Sequence, residues 1–413
     1  MPSKIVIIGA GFAGVWSALS AQRLINLRNK EQDIEILVIS PEPWLTMRPR
    51  LYEANASTMK QPLASLFKAA GIGFLQGTVE TIDTNSQTVH VQSSSGNESD
   101  VHFDRLILAA GSAVVRPKSV AGLNQHAFDI DSLAGATKLE AHLKSLESLP
   151  ASKTRDTVVI CGGGFTGIEM AAELPNLLKH MANPNIVLVE SAPDVGPELG
   201  AGPRPTIVKA LGSLGVELKL GAAVTAVDAS GVQLSSGERI DAMTVVWTAG
   251  MRATHLTQQI PGKKDTLSRL YVDPDLRVTG CKRVFATGDA AHAVTDTEGH
   301  IALMSCQHAN ILGRFSGHNA AADLLSESTV PYSQPGYATC LDLGPWGALL
   351  ARGWERDVKM TGDVAKQVKR YINQKLIVLP EDAMEAMDAA EPASYSMESL
   401  YKTISQGTGI DVV

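Results

Sequence analysis

Two short glycine-rich loops constrain this chain more than any other feature. At residues 5–14, IVIIGAGFAG, an apolar run ends in Gly9-x-Gly11-x-x-Gly14; at 158–167, VVICGGGFTG, the arrangement returns as Gly162-x-Gly164-x-x-Gly167. Each run is continuously apolar, as a strand buried on both faces of a parallel sheet must be. Each loop opens a helical pattern, to about Leu27 and about His180. Each helix leads to a second apolar run, IEILVI at 34–39 and NIVLVE ending in Glu190. These are two complete β-turn-helix-β units. The first glycine of such a loop allows a tight turn and the second lets the backbone approach a pyrophosphate. The third lets helix pack on strand, and the helix N-terminus adds positive dipole.

The expected fold class is therefore α/β, with two Rossmann-like dinucleotide-binding domains. Their second strands end differently. An acid usually stands at that position to hold a ribose, but the first unit has Ser40, so Ser40, Glu42 or a backbone group must serve. The second unit has Glu190, which accepts hydrogen bonds from a 2′-hydroxyl and repels a 2′-phosphate. No arginine immediately follows it, which favours NADH over NADPH. Two nucleotide units in one chain suggest a bound flavin, FAD, and a nicotinamide nucleotide that reduces it.

Composition narrows the setting. A formal net charge of -7 over 413 residues argues against nucleic acid as the partner, since phosphate binding needs a basic surface. Residues 381–413 hold seven acids and one base, Lys402, which leaves net -1 for the rest. That tail reads as solvated and partly disordered, with a dimer arm or a cover over a site as the sharper alternatives. Cys161, Cys281, Cys306 and Cys340 lie far apart, with neither redox nor metal-ligand spacing, so no metal site is expected. A reduced, cytoplasmic setting fits, because MPSKIVIIGAG enters a strand directly with no signal-peptide pattern.

Further stretches carry a resemblance. RVFATGDAA (283–291) ends an apolar strand at Thr287-Gly288-Asp289. AAGSAVVRP (109–117) and VVWTAGMRA (245–253) read as the chain leaving each nucleotide domain. MRPRLYEA (47–54) and MSCQHANI (304–311) read as segments beside a flavin. With the glycine loops these cover most of residues 4–325. The chain resembles the type II NADH:quinone oxidoreductases and AIF-like oxidoreductases of the pyridine-nucleotide-disulfide oxidoreductase superfamily. The resemblance implies that FAD lies along Gly9, Gly11, Phe12, Ala13, Gly14 and Ser40, with Arg48, Val79, Ala110, Gly111, Asp289 and Gln307. Asp289 would bind the ribityl and phosphate region. It implies the nicotinamide nucleotide along Gly162, Gly164, Thr166, Gly167, Glu190 and Gly250.

The departures matter. The superfamily's disulfide reductases carry a cysteine pair beside the flavin, and none stands here, which disfavours thiol-disulfide exchange. Of the AQxAxQ stretch of the quinone reductases only Gln307 and Ala309 remain; Cys306 replaces its first alanine and Ile311 its second glutamine. His292 and His308 flank these motifs and read as structural.

The domains expected are a discontinuous FAD domain, 1–116 with 270–328, and an NAD(H) domain inserted at 125–262. A small C-terminal α+β domain, 331–413, follows. Inserted β segments are expected at 77–93 and 222–240. A helix over 363–379 carries Lys366, Lys369, Arg370 and Lys375. It reads as core on one face and solvent on the other, with membrane-surface contact, hence a peripheral location, as the alternative. A homodimer is left open.

The activity expected is hydride transfer from NADH to FAD, then two electrons to a quinone or similar small acceptor. A dedicated metabolite or a protein such as a ferredoxin is the alternative acceptor, and a non-catalytic NADH sensor the third reading. Quinone reduction needs protons, and a carboxylate with a pKa raised by burial can relay them. Glu169, two residues past Gly167, is the catalytic candidate; its plainer role is favourable charge at a helix N-terminus, about 0.3–1 kcal/mol.

Overall fold

The computed structural model describes residues 2–393 and 396–412. The apolar runs form two parallel sheets. The first has strand order Val284–Ala286, Arg105–Leu108, Ser3–Ile8, Ile34–Ser40, Gly73–Gln76. Its central strand alternates between two cores. Ile5 and Ile7 face the helix Phe12–Leu27, while Val6 and Ile8 join Val79, Val89 and Val91 of an antiparallel three-stranded sheet on the other side. Burial on both faces explains the unbroken apolar run, and each such side chain contributes about 1.5–3 kcal/mol.

The second parallel sheet has order Val216–Leu220, Asn185–Glu190, Thr157–Cys161, Thr244–Trp247. All its strands fall between Arg105–Leu108 and the return strand Val284–Ala286, so the chain leaves the first sheet, builds the second and comes back. The two crossing segments, Ser112–Val114 and Met251–Ala253, pair antiparallel side by side. Trp247 Nε1 donates to Val115 O at 2.7 Å across the same junction.

The long helix Cys306–Leu324 lies against Phe12–Leu27. The approach is close enough that a Cβ on Gly317 would stand 2.0 Å from Ser17 O, so only glycine fits. The Ser17 and Ser316 hydroxyls meet at 3.0 Å within this contact. The N-terminus of the second helix is thereby held over the first glycine loop.

Strands Ala338–Asp342, Ala348–Arg352 and Asp357–Thr361 form an antiparallel sheet. The helix Gly362–Tyr371 follows and passes into a π turn at Ile372–Leu376. Two of its four basic residues turn inward: Lys369 is 5% exposed and Lys366 bonds Asp342 at 2.5 Å. Only Arg370 and Lys375 remain on the surface, half the positive charge the membrane-contact reading relied on. Among the described residues no helix is long and apolar enough to cross a membrane.

The acidic tail departs from its expectation of solvation and disorder. Residues 394, 395 and 413 of it lie outside the described residues; the rest folds. Helices Ala383–Ala389 and Met397–Thr408 bury Ala386, Tyr401 and Ile404 against the body, and Ala390, just past the first helix, is buried with them. Net charge misled because the acids occupy one side: Glu385, Asp388, Glu391 and Glu398 face solvent. Asp382 caps a helix, its Oδ1 accepting from the Met384 and Glu385 N–H groups at 2.9 Å.

Candidate functional site

The two glycine loops share one geometry. A Cβ on Gly14 would stand 1.9 Å from Gly9 O, and one on Gly167 would stand 1.8 Å from Gly162 O. No other residue lets the helix start so close beneath the turn. Gly11 and Gly164 head their helices in extended conformation and offer no side chain to cap them. At the first loop the leading N–H groups are thus left for an external acceptor, the arrangement that binds phosphate, whereas at the second Phe165 N–H already donates to Glu198 Oε1 at 2.7 Å. Both loops open into one continuous cavity of about 2220 Å³. A site for a single small molecule holds roughly 300–1,000 Å³, so this space suits more than one ligand.

The half of the cavity at the first loop is lined by Gly9, Gly11, Phe12, Ala13, Ser40, Arg48, Val79, Ala110, Gly111, Asp289 and Gln307, with Gly14 behind the turn. Asp289 is half-buried, and its partial loss of water raises its pKa while the Arg48 charge nearby opposes the rise. Ser112 Oγ donates to Asp289 Oδ2 at 2.6 Å, and Arg48 Nη1 stands 3.6 Å from the same oxygen. Arg48 also pairs with Asp131, which no sequence motif marks. A half-buried carboxylate beside uncapped helix amides and an open trough fits a polyhydroxy chain attached to a pyrophosphate, so the residues present fit FAD. His308 is wholly buried, and its pKa falls to about 3 through burial and then Arg269, so it is neutral and structural. His292 lies 3.1 Å from Asp265, which also bonds Arg269 at 2.7 Å.

The half at the second loop is lined by Gly162, Gly164, Thr166, Glu190 and Gly250, with Gly167 again behind. Glu190 already shapes the loop: its Oε2 accepts from Gly163 N–H at 2.7 Å, and its Oε1 from Ala192 N–H at 2.7 Å and Ser191 Oγ at 3.0 Å. An ionised carboxylate has about four acceptor directions, so capacity remains for a ribose hydroxyl.

Between the halves stands Glu169, on the helix Phe165–Leu177 and 4% exposed. Its Oε1 accepts from Lys369 Nζ at 2.8 Å and from Asp342 N–H at 2.9 Å. Burial raises the Glu169 pKa to about 7, Asp342 adding to the rise and Lys369 opposing it. Burial disfavours charge on Lys369, but the charge and hydrogen bond of Glu169 more than offset this and raise its pKa. Lys369 therefore stays charged while Glu169 titrates near neutrality. Asp342 is itself held, with Tyr52 OH donating to Oδ2 at 3.0 Å and Lys366 Nζ to Oδ1 at 2.5 Å.

Cys306 and Cys340 line the same wall. Burial pushes their pKa values up to about 11 and about 12, so both are protonated and poor nucleophiles. All four cysteines are free. Ile372, Leu376 and Ile377 of the C-terminal helix and turn, with Leu400 and Ile404 of the tail helix, add an apolar lining. The tail thus covers part of the cavity, the alternative the sequence had left open. Lys369 and Asp342 escaped sequence reading; the available signal was a lysine next to Val368, on the side of a helix that carries its apolar residues.

The sequence profile of the pyridine nucleotide-disulphide oxidoreductases matches residues 3–310. The chain belongs to that family. It is 42% identical over 399 residues to an NADH dehydrogenase-like protein of Mycobacterium tuberculosis, covering 94% of this chain and 98% of the relative. It is 26% identical over 396 residues to a type II NADH:quinone oxidoreductase of Staphylococcus aureus, covering 91% of this chain and 95% of that one. Among solved structures, NDH2 of Plasmodium falciparum in complex with NADH superposes with a TM-score of 0.73 at 14% identity, covering 94% and 98%. That likeness extends the shared fold through the C-terminal sheet. As a member of this family the chain is an oxidoreductase.

Proposed function

We propose that this protein oxidises NADH through bound FAD and delivers two electrons to a quinone or a similar small apolar acceptor. The observation that carries the reading is the Glu169–Lys369 pair, sited between the two glycine loops and beside the apolar lining. FAD, when bound, supplies the hydride acceptance and the two-electron store. The first loop and Asp289 would hold it. The second loop would hold NADH, with Glu190 selecting against a 2′-phosphate.

The chain's own contribution is proton handling and exclusion of water. Oε1 of Glu169 is taken by Lys369 and the Asp342 amide, so a proton is carried on Oε2. With a pKa of about 7, that oxygen is occupied in a large fraction of molecules at neutral pH and can give its proton to an acceptor gaining electrons. Lys369 stays charged and favours return to the carboxylate once the proton has gone. Ile372, Leu376, Leu400 and Ile404 offer an apolar acceptor a dry wall in place of hydrogen bonds. This suits a site where Ile311 stands in the place of a glutamine.

The test is anaerobic mixing of the flavin-loaded protein with NADH, then with a panel of quinones, a ferredoxin and other acceptors. Bleaching by NADH followed by recovery with quinone supports the reading. Bleaching with recovery only by the ferredoxin moves the acceptor to a protein, and no bleaching removes the donor assignment.

A further inference from the structure

The two glycine loops correspond closely except at one point. Gly11 sits at φ -76°, ψ -174° and Gly164 at φ -79°, ψ -172°. A Cβ built on Gly11 would meet nothing within 4 Å, so the space in front of the first helix is open. One built on Gly164 would meet Glu198 Oε1 at 2.8 Å. That oxygen accepts from Phe165 N–H at 2.7 Å, one of the amides a phosphate would use. The carboxylate therefore stands where the loop motif places an anion.

Glu198 belongs to the short turn Pro197–Leu199, bracketed by Gly196 at φ 60° and Gly200 at φ 76°. Gly196 N–H donates to Gly163 O at 2.8 Å, which ties the turn to the loop. The Glu198 side chain is exposed and lines the donor half of the cavity. It can swing into solvent without unfolding anything.

We propose that Glu198 is a displaceable internal anion: it occupies the phosphate position of the second loop between turnovers, and the pyrophosphate of the nicotinamide nucleotide must exchange with it. The inference rests on reading this loop as the NADH site. A helix N-terminus favours one anion, and two anions at that point repel each other. The tethered carboxylate therefore weakens nucleotide binding and assists the departure of NAD⁺. The first loop has no such competitor. The chain thus distinguishes a nucleotide that stays from one that must leave on every cycle.

The experiment compares wild-type, Glu198→Gln and Glu198→Ala holoenzymes. NAD⁺ binding is measured by calorimetry, NADH affinity by the concentration dependence of anaerobic flavin bleaching, and FAD content serves as the folding control. Both variants should bind NAD⁺ and NADH tighter by roughly two- to fivefold, the size of one charge at a helix end, and release NAD⁺ more slowly. Unchanged or weaker binding in Glu198→Gln, which keeps the shape and loses only the charge, overturns the proposal. A wild-type protein that NADH fails to bleach overturns the donor reading instead. The NAD⁺ calorimetry still judges Glu198 in that case, since it needs no electron transfer.

Discussion

Lys369 reaches from the C-terminal helix to within 2.8 Å of Glu169 on the helix that follows the second glycine loop, with side chains only 6% and 5% exposed. The contact joins the nucleotide-binding half of the chain to its C-terminal half at the wall of the cavity. Burying two charges together is costly unless each is further bonded. Here Glu169 also accepts from Asp342 N–H, and Lys369 donates to Cys340 O at 3.1 Å.

Removing one partner should expose that cost. Lys369→Met leaves a buried carboxyl without its cation, and should destabilise the fold by about 3–5 kcal/mol. It should also drive the Glu169 pKa above its present value, because the group that lowers it is gone. Chemical denaturation checks the first, and the pH profile of flavin reoxidation the second. The two read independently.

The raised pKa of Glu169 has a signature in stability. The folded state holds this proton up to about pH 7, whereas an unfolded chain releases it near pH 4.3. Stabilisation from proton binding is therefore complete below the unfolded value and is lost as pH rises through about 7. The loss amounts to about 4 kcal/mol at about 1.4 kcal/mol per unit. Glu169→Gln should remove this slope, so its stability relative to wild type should rise between about pH 4 and pH 7. Parallel curves for the two proteins over that interval would mean that Glu169 titrates normally.

Glu190 both shapes its loop and faces the cavity. Replacing it by alanine would loosen Gly163 and Ala192 and weaken either nucleotide. Glu190→Gln keeps a carbonyl acceptor and removes the charge. The preference for NADH over NADPH should fall by roughly tenfold, the worth of a charge-assisted hydrogen bond. Affinities for the two nucleotides, measured side by side, check this.

The helix contact at Gly317 should tolerate no side chain. Gly317→Val would drive a branched group into Ser17 O, where even a Cβ would stand at 2.0 Å. Overpacking of this kind costs about 1–3 kcal/mol or more. Because the affected helix carries Cys306 and Gln307 at its start, flavin content should fall with melting temperature. A normal melt with full flavin would show that the helices can move apart.

The glycine loops were legible in the sequence because their chemistry is local: residues within a dozen positions define strand, turn and helix start. The C-terminal strands were legible for the same reason, since TCLDLG, GALLAR and DVKMT each alternate. The Glu169–Lys369 pair was not, because two hundred residues separate its members and only the docking of the C-terminal sheet brings them together. The acidic tail misled because charge was counted without phase. Tyr401 and Ile404 share one side of their helix, and Glu398 faces away. Lys369 misled in the opposite sense: its neighbour Val368 marks the buried side, yet a lysine there reads as solvated until its carboxylate is found.

Flavin reoxidation by a short-chain quinone, followed by stopped flow across pH in wild type and Glu169→Gln, tests the acceptor-side role most directly. The wild-type rate should fall as pH rises through about 7, where Glu169 loses its proton. Glu169→Gln should bind NADH and bleach normally, then reoxidise slowly at every pH. A variant that reoxidises like wild type, with only the NADH half-reaction impaired, would place Glu169 on the donor side and contradict the proton-delivery role.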